Sequence, residues 1–144
     1  MPTDTNGPVL QQWNAVYQHL IEHGFSRKPV LAGAGGAAGE AYAWAIANPG
    51  KVSCVYGENP VLRSHMAKGQ PLNNLAPLAK AGVPVLHVCG SLDPWLKSQT
   101  RVAEARYREL GGEITVLVRE GAGRDPLGPK ERVAVVEFIA TRAK

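Results

Sequence analysis

A chain of 144 residues with 44% hydrophobic content can bury a core of its own without disulfide or metal staples. Its net charge of +4 comes from scattered Lys and Arg, which gives no basic stripe for nucleic acid. No apolar run approaches the ~18 residues of a membrane span.

Residues 1–144 read as one domain. Met1 to Thr5 have neither the basic nor the apolar segment of a secretory signal, so the expected compartment is the cytoplasm. Trp13, Val16, Tyr17, Leu20 and Ile21 recur at helical spacing, and Gly24 stops that helix. Pro29 to Gly33 is a short apolar strand ending in glycine. Ala37 to Asn48 is Ala-rich and helical, closed by Pro49-Gly50. Val52 to Gly57 is a second strand. Residues 58–74 show no period, and Leu75 to Ala81 fit a short helix. Val83 to Gly90 is a third strand. Leu96 to Leu110 is helical, with Ala103, Tyr107 and Leu110 inward, and Gly111-Gly112 ends it. Glu113 to Val118 is a fourth strand. Pro129 opens a last helix whose apolar face is Val133, Val136, Ile139 and Ala140. Cys54 and Cys89 fall inside apolar strands and read as buried free thiols.

Strands alternating with helices predict a parallel sheet covered on both faces. The expected fold is therefore α/β, a three-layer α/β/α sandwich on a short, about four-stranded sheet. Ligands of such sheets bind beyond the carboxyl ends of the strands. That rim comprises Gly33 to Gly36, Gly57 to Asn59, Gly90 to Asp93 and Glu120 to Asp125.

The rim segments resemble the α/β-hydrolase family, on its esterase and peptidase side. Lys28 to Gly39 stands where that family has its nucleophile elbow, and Tyr42 to Ala45 and Asn48-Pro49 continue the helix behind it. Val83 to Asp93 resembles the strand and loop that carry the acid. Gly121 to Pro126 resembles the loop of the histidine. The resemblance runs from about Pro8 to the C-terminus and implies the C-terminal half of that fold, beginning just before the helix that precedes the nucleophile strand. It also implies that Gly35 occupies the nucleophile position, Arg124 the histidine position and Asp93 the acid position. An arginine stays protonated near neutral pH and cannot act as a general base. The expected protein is thus a degenerate, non-classical hydrolase-like chain without a Ser-His-Asp triad. It would bind a small molecule in the crevice or serve as an assembly domain.

Two other readings stay open. One is an ester or lactone hydrolase in which Asp93, with Asp125, activates water. Ca²⁺ held by Glu58, Asp93 and Asp125 would assist it, although no cofactor is expected. The other is a nucleotide-binding module at the turn Gly33 to Gly39, with Glu58 on a ribose. Gly33, Ala34, Gly35, Gly36, Glu58 and Arg124 are the candidate ligand-binding residues, for a small-molecule ligand or an ester substrate. His87 reads as a packed core histidine. A Ser-His pair drawn from Ser64, Ser91 and His65 is a remote option. Pro29 to Gly33, mid-sheet in the resembled fold, becomes an edge here. An open edge invites a homodimer, and neither nucleic acid nor membrane is an expected partner.

Overall fold

A computed structural model of the chain describes residues 7–62 and 70–144. Among these residues five α-helices and four strands alternate: α1 (Gly7–Glu22), β1 (Val30–Ala34), α2 (Gly36–Ala47), β2 (Cys54–Glu58), α3 (Ala76–Lys80), β3 (Val85–Gly90), α4 (Arg101–Glu109), β4 (Ile114–Arg119) and α5 (Pro129–Arg142). The strands form one parallel sheet in the order β1-β2-β3-β4. The chain has the α/β architecture on a short parallel sheet that the alternation predicts. Most element ends differ from the expected ones by a residue or two, as fraying ends do, but the helix expected from Leu96 becomes α-helical only at Arg101, after a π-helical turn over Leu96–Thr100.

The sheet has two unequal sides. On the first, Leu31, Val55, Val85 and Ile114 meet α1 through Trp13 and Tyr17, α2 through Ala41, Tyr42, Trp44 and Ala45, and α4 through Ala103 and Tyr107. On the second, Tyr56, Leu86 and Val88 are covered by α5 through Val135 and Phe138, with Leu117 and Leu127 beside them. The β1–β2 register pairs Ala32 with Tyr56 and Ala34 with Glu58. Ala32 and Ala34 therefore lie on the second side, and α5 leaves both exposed. β3 is buried along its whole length, as a central strand of a parallel sheet should be.

Two expected apolar faces need correction. On α5 the inward positions are Val135 and Phe138, while Val133 and Val136 are 57% and 65% exposed. Four neighbouring apolar residues allowed either stripe, and the sheet takes the one that reaches Tyr56 and Val88. Leu110 is also exposed, because α4 ends at Glu109 before its face returns to the core. Cys54 and Cys89 are free and buried, and burial pushes both thiols up.

Candidate functional site

The rim is organised by β1, which runs straight into α2 through Gly35. Gly35 has φ +56° and ψ −127°, a backbone conformation that residues with a Cβ rarely adopt. It is pinned on three sides. Its N–H donates to Glu58 O at 3.0 Å, and its carbonyl accepts from Val61 N at 3.0 Å and Ala38 N at 3.2 Å. A Cβ at Gly33 would lie 2.6 Å from Ala38 N, and one at Gly39 would lie 2.8 Å from Val61 O. Those two glycines let the turn close tightly. A Cβ at Gly36 would meet nothing within 4 Å.

Asp93 and Arg124 reach this turn from the next two rim loops. The Asp93 side chain is 1% exposed. Its Oδ1 accepts from Trp95 N at 3.1 Å and lies 3.8 Å from Arg124 Nε. The Arg124 guanidinium is 46% exposed, and its Nη2 donates to Asn59 O at 3.1 Å. The same Nη2 is 3.5 Å from where a Cβ of Gly35 would stand. Gly35, Arg124 and Asp93 thus form a contiguous row. Arginine pairs with Asp93 and not with the adjacent Asp125.

Asn59 is the residue that sequence reasoning passed over. It is buried with φ +41°, and Asn tolerates this better than most residues. Its N–H donates to Val88 O at 2.9 Å, its Oδ1 accepts from Gly90 N at 3.0 Å, and its carbonyl holds Arg124. It ties β2, β3 and the arginine loop together. Its signal in the sequence was a polar residue directly after an apolar strand and before Pro60. Gly90 does related work. A Cβ there would lie 2.1 Å from both Ala122 O and Gly123 O, so the loop that carries Arg124 packs directly on the strand end. Gly90→Ala should therefore force that loop outward. We expect a loss of about 1–3 kcal/mol by chemical denaturation, from overpacking against backbone that cannot yield.

Other candidates separate from this row. Asp125 is exposed, and its Oδ2 accepts from Gly123 N at 3.0 Å, which caps its own loop. Glu58 Oε2 accepts from Tyr56 Oη at 3.3 Å. Glu58, Asp93 and Asp125 therefore do not converge, and no metal-holding group of His, Cys, Asp or Glu occurs among the described residues. The proposed Ca²⁺ site is corrected accordingly: each carboxylate serves a local partner. Gly33 and Ala34 line the strand and its edge more than the crevice. The Ser91 hydroxyl accepts from Gly121 N at 2.9 Å and fastens two loops. Ser64 and His65 lie outside the described residues.

His87 is a core residue, as expected. It is fully buried in β3, with Nε2 at 2.7 Å from Tyr42 Oη and Nδ1 at 3.2 Å from Thr100 Oγ1. Cys89 Sγ lies 3.3 Å from the same Thr100 hydroxyl. Burial lowers the imidazole pKa to about 3 and raises the Tyr42 phenol well above its ordinary value. Tyr42 then donates to a neutral ring. Thr100 belongs to a five-residue π-helical turn, Leu96–Thr100, that precedes α4.

No family model matches the chain, and no curated protein matches it. Solved structures do. A point variant of SOBER1 from Arabidopsis thaliana has a TM-score of 0.73 at 14% identity, covering 100% of this chain and 68% of that one. An uncharacterised protein from Bacillus cereus has a TM-score of 0.80 at 15% identity, covering 98% of this chain and 44% of that one. The Bacillus cereus carboxylesterase has a TM-score of 0.69 at 17% identity, covering 92% of this chain and 59% of that one. The chain spans between 44% and 68% of the length of these structures. At such identity the likeness establishes the fold: it is α/β-hydrolase-like, as the rim motifs imply. No helix among the described residues is long and apolar enough to cross a membrane.

Proposed function

We propose that this hydrolase-fold chain forms no acyl-serine intermediate and instead holds the carboxylate of a small molecule at its rim. The observation that carries the reading is the row Gly35, Arg124 and Asp93. Where a nucleophile side chain would stand, there is only backbone with Arg124 Nη2 3.5 Å from the empty Cβ position. Without Ser, nothing attacks a carbonyl there, and without His, nothing takes its proton. A guanidinium beside a glycine turn presents a planar fork to a carboxylate. Asp93 and Asn59 O hold that fork in place while leaving it half exposed. The enclosure of Asp93 weighs against its acting as a base for free water. The packing duties of Gly33 and Gly39 account for those glycines without a nucleotide.

Two measurements test this reading. A fluorophosphonate probe should leave the protein unlabelled by mass spectrometry, and stoichiometric labelling of any serine would overturn the proposal. In calorimetric titration with small carboxylates, Arg124→Gln should weaken binding by at least about tenfold, the equivalent of one charge-assisted hydrogen bond. Equal affinity in both proteins would remove Arg124 from the role.

A further inference from the structure

We propose that the open edge of β1 pairs antiparallel with β1 of a second copy of this chain, about a two-fold axis at Ala32. The inference is independent of what the rim binds. β1 ends the sheet, so one side of it has no partner strand among the described residues. Its ladder to β2 uses the Pro29 carbonyl, bonded by Ser53 N at 3.1 Å, and the Gly35 amide, bonded to Glu58 O at 3.0 Å. Backbone groups alternate along a strand, so Leu31 and Gly33 also turn toward β2. Val30, Ala32 and Ala34 therefore present their N–H and C=O groups outward. That set is self-complementary: with Ala32 facing its own copy, Val30 faces Ala34 of the partner and the reverse.

The surroundings of the edge fit a strand that is apolar on both faces. On one side a groove of about 220 Å³ runs between α1 and β1, lined by Trp13, Val16 and Leu20 and by Val30, Leu31 and Ala32 along the strand. Val16 there is 59% exposed. On the other side, Ala32 and Ala34 are exposed. The strand Val30-Leu31-Ala32-Gly33-Ala34 is itself such an occupant, with nothing charged along it. Its small residues also let two sheets approach without a clash over the axis.

Charge selects the direction and the partner. The N-terminal end of β1 carries exposed Arg27 and Lys28, and the C-terminal end has exposed Glu40 and half-buried Glu58 beside it. No ion pair among the described residues engages these four. Arg124, at the acidic end, is already paired with Asp93. An antiparallel two-fold sets the basic end of each copy against the acidic end of the other, whereas a parallel arrangement would place like against like. Closed two-fold pairs are the commonest outcome for a self-complementary patch.

Light scattering on the full chain across a dilution series should give the mass of two chains. Ala32→Lys should return it to one, because the two new ammonium groups would face each other on the axis. Circular dichroism and melting cooperativity should stay unchanged, since Ala32 is exposed in the single chain. Ala32→Cys should oxidise to a covalent dimer. Directly opposed hydrogen-bonded residues have Cα atoms about 5.5 Å apart, within disulfide reach, and the native Cys54 and Cys89 are buried. A one-chain mass at high concentration would overturn the proposal. In that monomer, slow exchange of the Val30, Ala32 and Ala34 amides would assign the edge to another part of the same chain. A dimer that neither Ala32 variant affects would use a different surface, which overturns it equally.

Discussion

On acidification the folded chain should lose stability on the order of 5 kcal/mol between pH 6.5 and 3 through His87 alone. The imidazole is fully buried, its pKa falls to about 3, and desolvation is the cause. In the unfolded chain the same group protonates near 6.5. Between these values the unfolded state binds a proton that the folded state refuses, so stability rises with pH across the window. The contribution is complete above about 6.5 and is lost progressively as pH falls toward 3. Its slope approaches about 1.4 kcal/mol per pH unit, the limit for one proton. The hydrogen bonds of the ring to Tyr42 and Thr100 suit the neutral form. Tyr42 donates to Nε2, and Nδ1–H is left to donate to Thr100. Urea titrations at several pH values should show this slope, and His87→Gln should flatten it even where the variant is less stable overall. A His87 resonance that titrates above pH 5 in the folded protein would refute the assignment.

The same residue shows what the sequence made legible. His87 stands in an unbroken apolar run with Val85, Leu86, Val88 and Cys89, which is enough to read a buried strand and a buried ring. Its partners were not readable, because Tyr42 lies 45 residues away and Thr100 lies 13 away, and both meet it only through packing on the sheet. The sheet itself was legible for a simple reason: each strand is a short apolar run closed by Gly, Pro or a polar residue, and a helix stands between each strand and the next. Asp93 and Arg124 could be placed at the rim by position alone. That they pair with each other, while Asp125 turns back on Gly123 N, depends on Gly90 letting the loop settle on the strand end. Single-residue spacing carries no information about that approach. The α5 stripe failed for a different reason. Val133, Val135, Val136, Phe138 and Ile139 supply two overlapping apolar faces, and only the position of the sheet chooses between them.

The unequal covering of the two sheet faces links these features to assembly. On the first side, four helices bury Leu31 and its neighbours. On the second, α5 alone serves the sheet, and it reaches β2 and β3 but leaves Ala32 and Ala34 bare. Val16 on the first side and Ala32 and Ala34 on the second thus leave apolar surface exposed on both sides of β1.

Trp44→Ala should destabilise the chain by about 3–5 kcal/mol, the range for deleting a buried aromatic side chain. Trp44 is 2% exposed on α2 and is the point at which α1 is held. Its ring lies 5.5 Å from that of Tyr17 and 6.3 Å from that of Trp13, both on α1. Its Nε1 donates to Asn14 Oδ1 at 2.8 Å, so truncation leaves a cavity and also removes a hydrogen bond between the two helices. The first turn of α1 carries no acidic residue to favour its N-terminus. The loss should therefore be concentrated there. Hydrogen exchange in Trp44→Ala should show α1 amides losing protection first, while β3, buried on both faces, keeps its own. Trp44→Phe should retain most of the ring packing and lose chiefly the Asn14 bond, with a smaller drop of about 1–2 kcal/mol. Because Trp44 also lines the groove beside β1, loosening α1 removes one wall of the proposed strand slot. Trp44→Ala should then weaken self-association at temperatures where the sheet is still intact, and Trp44→Phe should not. Uniform loss of protection across α1 and β3 together would show instead that the helix and the sheet unfold as one unit.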